Sequence, residues 1–230
     1  MTFKSFFAAS LCGAAFSLSA SAQELQPNAE GQKKLTPESV LEDLTKGNKT
    51  FVVGTPSDRN ILQRRDAAKG GQYPKAYILS CIDSRVPVEE VFDQGIGDVF
   101  VGRVAGNVED VNQLGSMEYA AAVAGVKVIM VLGHEGCGAV KGACDGVELG
   151  NVTALLEEIK PAVDKVEGFD DDRSSKNKKF VDAVVEQNVK ETIEGIRKDS
   201  KVLADLEKEG KLKIVGGVYS LETGEVTMLN

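Results

Sequence analysis

Five short apolar runs along the chain have the character of buried β-strands. They occupy residues 76–80, 99–104, 126–132, 212–218 and 225–229. Because the runs are largely continuous rather than alternating with polar residues, they predict strands covered on both faces, as in a parallel sheet. The last two runs are separated by a Glu-Thr-Gly sequence at 222–224, which predicts a hairpin and an antiparallel edge strand.

Segments with helical character lie between these runs. The first begins at Thr36 and Pro37, which suit the N-cap and the first helical position. The others cover residues 59–69, 112–124, 151–165 and 178–208, and the charged residues 168–179 read as a surface loop. Alternating strands and helices predict an α/β fold, with a mostly parallel central sheet flanked by helices and an antiparallel C-terminal edge strand.

The first 35 residues do not continue this pattern. Residues 1–22 have Lys4 near the start, an apolar run at 6–18 and a small-x-small sequence at 20–22. This arrangement is typical of a signal peptide, with a buried N-terminal helix as the alternative, and it predicts a periplasmic or secreted protein. Residues 23–35 are polar and read as a mobile arm, which leaves 36–230 as one folded domain. No later stretch is long and apolar enough to span a membrane.

Composition narrows the class of function. The 230 residues are 42% hydrophobic, which fits a globular protein, and the formal net charge is −8. Because no basic stripe offsets this charge, we expect no nucleic-acid partner. Outside the signal segment the cysteines are Cys81, Cys137 and Cys144, an odd number that cannot pair completely. Cys144 has no partner motif, so we expect a buried, inert thiol there.

Two motifs rich in metal-binding side chains directly follow predicted strands, namely Cys-Ile-Asp-Ser-Arg at 81–85 and Gly-His-Glu-Gly-Cys-Gly at 133–138. Ligands in open α/β sheets bind at the carboxyl ends of the strands, so both motifs point to the same rim. Two thiolates, one imidazole and one carboxylate suit Zn²⁺, which prefers four tetrahedral ligands. We therefore predict a zinc site formed by Cys81, Asp83, His134 and Cys137. A Cys81–Cys137 disulfide is the alternative in an oxidising compartment.

The motifs resemble those of the β-class carbonic anhydrases over roughly residues 36–230. The resemblance is carried by CIDSRVPVEEVFDQGIGDVFVGRVAGN at 81–107, GSMEYA at 115–120, GHEGCGAVKGA at 133–143 and GGVYSLETGEV at 216–226. It implies that Cys81, His134 and Cys137 are zinc ligands. One departure is Ser220, at a position where an aspartate is common in the family.

The resemblance implies an activity and a quaternary structure. The activity is that of a carbonate dehydratase, a lyase that reversibly hydrates carbon dioxide to bicarbonate and a proton by attack of zinc-bound hydroxide. Asp83 and Arg85 match the catalytic aspartate–arginine pair of the family. Asp83 either occupies the fourth zinc position or swings away to pair with Arg85. Family members are generally homodimers or homotetramers, so we expect the same of this chain.

The resemblance also implies a substrate pocket of the plant-like branch. Gln72, Phe100 and Tyr119 match its substrate-binding residues, and the aromatic pair can act across a subunit interface. The other branch typically has Trp and Gly shortly before the first cysteine, where this chain has Ile78 and Ser80. We therefore expect no regulatory bicarbonate site.

Three other functions compete with this hypothesis. A zinc hydrolase acting on carbonyl sulfide or carbon disulfide would share the metal motif. A non-catalytic zinc protein would have a permanently closed site, against which the presence of Asp83, Arg85 and Gln72 argues. A nucleotide-binding α/β protein is disfavoured, because the chain contains neither G-x-G-x-x-G nor a P-loop lysine motif.

Overall fold

The computed structural model describes residues 28–58 and 60–229. The strands are β1 (Ala76–Ser80), β2 (Val99–Arg103), β3 (Val128–His134), β4 (Lys213–Tyr219) and β5 (Val226–Leu229). They form one sheet in the order β2-β1-β3-β4-β5. All neighbouring pairs are parallel except β4 and β5, which are antiparallel. The predicted fold class is thus confirmed, while the proposed signal peptide at 1–22 lies outside the described residues.

The α-helices connect and cover these strands. They are α1 (Ala29–Lys34), α2 (Pro37–Val52), α3 (Ile61–Ala67), α4 (Val88–Val91), α5 (Val111–Glu118), α6 (Gly138–Cys144), α7 (Gly150–Lys165), α8 (Lys178–Asp199) and α9 (Lys201–Lys208). Thr36 caps α2 as expected, with its side chain accepting a hydrogen bond from the N–H of Ser39. None of the helices within 28–58 and 60–229 combines the length and apolar character that crossing a bilayer requires.

The central strands are buried on both faces, which explains their continuous apolar sequences. Every residue of β1 and β3 is buried. On one face Ile78 and Met130 pack with Leu44 of α2, and on the other Ile129 packs with Val189 of α8. Because successive side chains of a strand point to opposite faces, helices on both sides demand apolar residues at every position.

The second half of the expected arm at 23–35 is a helix instead. Within α1, the side chain of Gln32 is buried. Its Nε2 donates hydrogen bonds to the carbonyl oxygens of Pro74 at 2.6 Å and Ala124 at 2.8 Å. These bonds tie α1 to the loops that precede β1 and β3. The local sequence is polar, so only its tertiary partners reveal that this segment is held in place.

The single long helix expected at 178–208 is two helices. Helix α8 ends at Asp199 and α9 begins at Lys201. Between them Ser200 has extended backbone angles, and its hydroxyl accepts a hydrogen bond from the N–H of Leu203. The serine is therefore an N-cap that starts a new helix rather than an interior residue of one.

Candidate metal centre

The strand ends bring the two predicted motifs together. Strand β1 ends one residue before Cys81, and β3 extends to His134 itself, two residues beyond the predicted end. Gly136 then takes a positive φ of 62°, and Cys137 becomes the N-cap residue of α6. Because β1 and β3 are parallel neighbours, their carboxyl ends meet at one rim of the sheet. The ligand atoms of Cys81, His134 and Cys137 all lie within 4.8 Å of one another, and all three residues are buried.

The imidazole of His134 is prepared to bind a metal through Nε2. Its Nδ1 lies 2.9 Å from the backbone oxygen of Glu135. A carbonyl oxygen only accepts hydrogen bonds, so Nδ1 carries the proton, as it does in many metal-binding histidines. Nε2 is buried and makes no hydrogen bond within the part of the chain that the structure describes. A metal ion is the partner that such a nitrogen lacks.

The two sulfur atoms have the separation expected for a shared zinc ion rather than for a disulfide. Their distance is 3.9 Å, and both cysteines are free. A disulfide bond is about 2.05 Å long, whereas two thiolates on one tetrahedral zinc, each at about 2.3 Å, lie about 3.8 Å apart. The donor set thus fits Zn²⁺ in both its chemistry and its spacing.

The pKa shifts at this cluster reflect the crowding of its donors. The thiol of Cys137 hydrogen-bonds Cys81 and lowers the pKa of Cys81 well below its usual range. The same contact, together with burial, raises the pKa of Cys137. Burial alone would lower the pKa of His134, but the adjacent Cys81 raises it. Thiolates and neutral imidazole are the forms that bind metal, so a divalent ion at this cluster would displace protons from its donors.

Asp83 lies beside the cluster and is held by Arg85. Its Oδ1 accepts hydrogen bonds from the backbone N–H and Nε of Arg85, both at 2.9 Å, and its Oδ2 accepts one from Nη2 at 2.7 Å. The Arg85 guanidinium holds the pKa of Asp83 far below its usual range. Oδ2 is 3.8 Å from Nε2 of His134. The structure therefore shows Asp83 in its arginine-paired position, and its role as a fourth ligand stays a prediction.

Arg103, a residue to which the sequence motifs assign no role, supports the first motif. Its Nε donates to the carbonyl oxygen of Cys81 at 2.9 Å, and its Nη2 donates to that of Asp83 at 2.6 Å. The N–H of Gly106 lies 3.4 Å from the sulfur of Cys81, and Asn188 donates to the Gly106 carbonyl at 2.7 Å. Arg103 is the last residue of β2 and lies at the same rim of the sheet as Cys81. Its position near the end of a predicted strand was the only feature of the sequence that could have indicated this supporting role.

The three predicted substrate-binding residues lie elsewhere in the chain. Phe100 is aligned with Tyr77 near the start of β1, about 10 Å along the strand from its carboxyl end. The rings of Phe100 and Tyr119 are 6.4 Å apart, and both line an open cavity of about 790 Å³. Gln72 precedes β1 and lines a different groove. Within one chain, the structure therefore does not bring these residues to the metal centre.

The third thiol lies outside the cluster. Cys144 ends α6 and is half-buried rather than fully buried. Burial, with a smaller contribution from Asp145, raises its pKa to about 11. A thiol in this state is largely protonated at neutral pH and is a poor nucleophile.

Comparison with known proteins agrees with the geometry of this centre. The family model described as carbonic anhydrase matches residues 76–226. Carbonic anhydrase 2 of Mycobacterium tuberculosis is 37% identical over 198 residues, which cover 84% of this chain and 92% of that protein. The carbonic anhydrase of Mycolicibacterium smegmatis is 36% identical over 200 residues, covering 84% and 93%. A tetrameric β-carbonic anhydrase of Sordaria macrospora has a similar structure, with a TM-score of 0.63, 26% identity and coverage of 72% and 85%. A chain that shares sequence with the first two and its fold with the third belongs to the β-carbonic anhydrase family.

Proposed function

We propose that this chain reversibly hydrates carbon dioxide to bicarbonate and a proton, with one Zn²⁺ held by Cys81, His134 and Cys137. The observation that carries the proposal is the cluster of three buried donors within 4.8 Å, in a chain of this family. When bound, zinc supplies a Lewis acid that lowers the pKa of a coordinated water from about 15.7 toward 7. Protein side chains must then orient the reactants, and the released proton must leave the site.

Asp83 is the side chain placed to orient a hydroxyl group beside the donors. Because Arg85 keeps its carboxylate ionised, Asp83 accepts hydrogen bonds and donates none. Its Oδ2 lies at the edge of the cluster, 3.8 Å from Nε2 of His134. An acceptor at that atom favours the hydroxyl of water in the forward reaction and the protonated oxygen of bicarbonate in the reverse one.

A second copy of the chain would supply the substrate-binding residues. In a single chain Gln72, Phe100 and Tyr119 lie away from the metal centre, toward the start of β1 and β2. Tyr119 is 52% exposed, and β2 pairs only with β1 among the described strands. Both features suit an interface along this edge. The proposed assembly is a homodimer or homotetramer in which Gln72 of the partner subunit approaches the zinc site.

Subunit mixing tests this arrangement directly. One variant is Cys81→Ser, which damages the metal site, and the other is Gln72→Ala, which damages the substrate pocket. If Gln72 acts across the interface, a mixed dimer contains one site in which both parts are intact, so co-refolded subunits regain activity. If it acts within its own chain, every site keeps one defect, and activity that stays at the level of the separate variants would overturn the shared site.

Metal analysis combined with a hydration assay tests the function itself. We expect residues 23–230, purified under reducing conditions, to hold one zinc ion per chain and to accelerate carbon dioxide hydration. Cys81→Ser should lose both properties, whereas Cys144→Ser, a matched change at a thiol outside the cluster, should keep both. A reduced wild-type protein that binds no zinc, or an oxidised one with a Cys81–Cys137 disulfide as its stable state, would contradict the proposal.

Export is a separate part of the proposal and rests on the sequence of residues 1–22. The basic start, the apolar run and the small residues at 20–22 support cleavage before Gln23. The test is N-terminal sequencing of protein recovered from the periplasm or medium of an expressing bacterium. A mature chain beginning at Gln23 is expected, and an uncleaved chain that stays in the cytoplasm would overturn this part alone.

A further inference from the structure

Glu135, which directly follows His134 in the second motif, is hydrogen-bonded to residues at the end of β4 and just beyond it. Its backbone N–H donates to the carbonyl oxygen of Tyr219 at 3.0 Å. Its Oε2 accepts one hydrogen bond from Oγ of Ser220 at 3.0 Å and another from the N–H of Leu221 at 3.2 Å. Main chain and side chain of Glu135 are therefore both tied to the turn that connects β4 with β5.

The carbonyl group of the same residue orients a predicted zinc ligand. The Glu135 oxygen accepts the hydrogen bond from Nδ1 of His134 at 2.9 Å, which leaves Nε2 free for a metal. The peptide that carries this oxygen continues into Gly136, whose φ is +62°. Glycine restrains its neighbouring peptides weakly because it has no Cβ. The direction of the carbonyl must therefore be set from the other side, by the bonds that hold Glu135.

We propose that Glu135 and Ser220 form a positioning pair, in which the hydroxyl–carboxylate bond aims the Glu135 carbonyl and thereby the ring of His134. The inference rests on the proposed function, since it takes Zn²⁺ as the occupant of the cluster. It also gives a reason for serine at position 220, where the family commonly has aspartate. A carboxylate there would face that of Glu135 at about 3 Å and repel it, whereas the serine hydroxyl donates to it.

Zinc affinity is the measurement that tests this pair, using competition between the apoprotein and a chelating dye for Zn²⁺. We expect Glu135→Ala to weaken zinc binding by about 10- to 100-fold, as loss of partners behind metal-binding histidines does. Ser220→Ala should weaken it less, because the Leu221 N–H remains. The double variant should bind no more weakly than Glu135→Ala, since both changes remove the same interaction. Substituted Co²⁺ should give a changed visible absorption spectrum in Glu135→Ala.

Glu135→Gln separates hydrogen bonding from charge. The glutamine amide oxygen can accept both bonds, so its zinc affinity should stay within about fivefold of wild type. A loss as large as that of Glu135→Ala would mean that the negative charge matters rather than the bond, and would overturn the positioning pair. This comparison also serves if Glu135→Ala fails to fold. Glu135→Gln keeps the bond to Ser220 and should bind zinc more tightly than Ser220→Ala, which loses that bond.

The chain offers a matched control of the same chemistry. Oγ of Ser200 donates to Oε1 of Glu118 at 2.6 Å, and neither residue belongs to the metal cluster. Glu118→Ala should lower the thermal midpoint yet leave zinc affinity unchanged. If wild type binds no zinc, the proposed function fails. If wild type binds zinc and Glu135→Ala binds it equally well, only the positioning pair is wrong.

Discussion

Arg85 holds both carboxylate oxygens of Asp83, with Nε 2.9 Å from Oδ1 and Nη2 2.7 Å from Oδ2. This two-pronged contact fixes the direction of the carboxylate as well as its charge. Because Oδ2 also lies 3.8 Å from Nε2 of His134, the arginine controls how close a negative charge comes to the metal centre. The pair is thus the part of the site in which a small change of geometry should have a large effect on activity.

Removal of the carboxylate should separate metal binding from catalysis. In Asp83→Ala we expect about one zinc ion per chain, because Cys81, His134 and Cys137 remain in place. Hydration activity should fall by roughly 100-fold, because the carboxylate that orients the reacting hydroxyl group is lost. Zinc content by atomic absorption and the initial rate of hydration check the two halves. Complete loss of zinc would contradict this prediction, because it would make Asp83 an essential zinc ligand.

Replacement of the arginine by another cation should test the geometry of the pair. Arg85→Lys keeps the positive charge but provides a single point of attachment instead of a planar fork. We expect zinc content to stay the same and activity to fall by about tenfold. Hydration rates and metal content of the purified variant give the answer. Activity equal to wild type would mean that charge alone controls Asp83.

Turnover should depend strongly on external buffer. His134 is the sole histidine of the 230 residues, and its side chain is fully buried within the metal cluster. Histidine is the side chain whose unperturbed pKa suits proton relay near neutral pH. With no second histidine, protons must pass directly to buffer molecules. At pH 7 and constant ionic strength, the rate at saturating carbon dioxide should rise severalfold with buffer concentration, and a rate that does not change would refute this prediction.

Glu109 should make stability depend on pH. Burial, and then the nearby Asp199 and Glu158, raise its pKa to about 7. The Glu109 carboxyl group packs directly against Gly195 of α8. A Cβ atom added to Gly195 would lie only 1.7 Å from Oε1 of Glu109. Since the unfolded chain releases this proton near pH 4.5, the folded state loses the corresponding stability as the pH rises from about 4.5 to 7.

Glu109→Gln should remove this loss. The free energy of unfolding of the variant minus that of wild type should increase from pH 5 to pH 8, by on the order of 2 kcal/mol. Urea unfolding of both proteins at the two pH values measures the difference. Glu222→Gln, at an exposed position in the β4–β5 turn, is the matched control and should show no such gain. If the difference between Glu109→Gln and wild type is the same at both pH values, Glu109 does not hold a proton in the folded protein.

Much of the fold and the centre of the site could be predicted from the chain alone. Continuous apolar runs mark strands covered on both faces, because alternate side chains must be buried on each side. The motif that begins at Cys81 directly follows one such strand, and the motif around His134 begins in the last two residues of another. The carboxyl ends of neighbouring parallel strands share one rim of the sheet. The order of the motifs along the chain was therefore enough to predict that Cys81, His134 and Cys137 lie together.

The contacts that depend on distant partners were decided by the tertiary structure. Gln32 is buried through carbonyl groups contributed by Pro74 and Ala124, and no local pattern indicates them. The register of β1 and β2 places Phe100 far from the metal centre and brings Arg103 to the carbonyl groups behind Cys81. Hydrophobic periodicity is a local property that can be read directly from the sequence. Hydrogen bonds between residues far apart depend on strand register and helix packing, which exist only once the chain has folded.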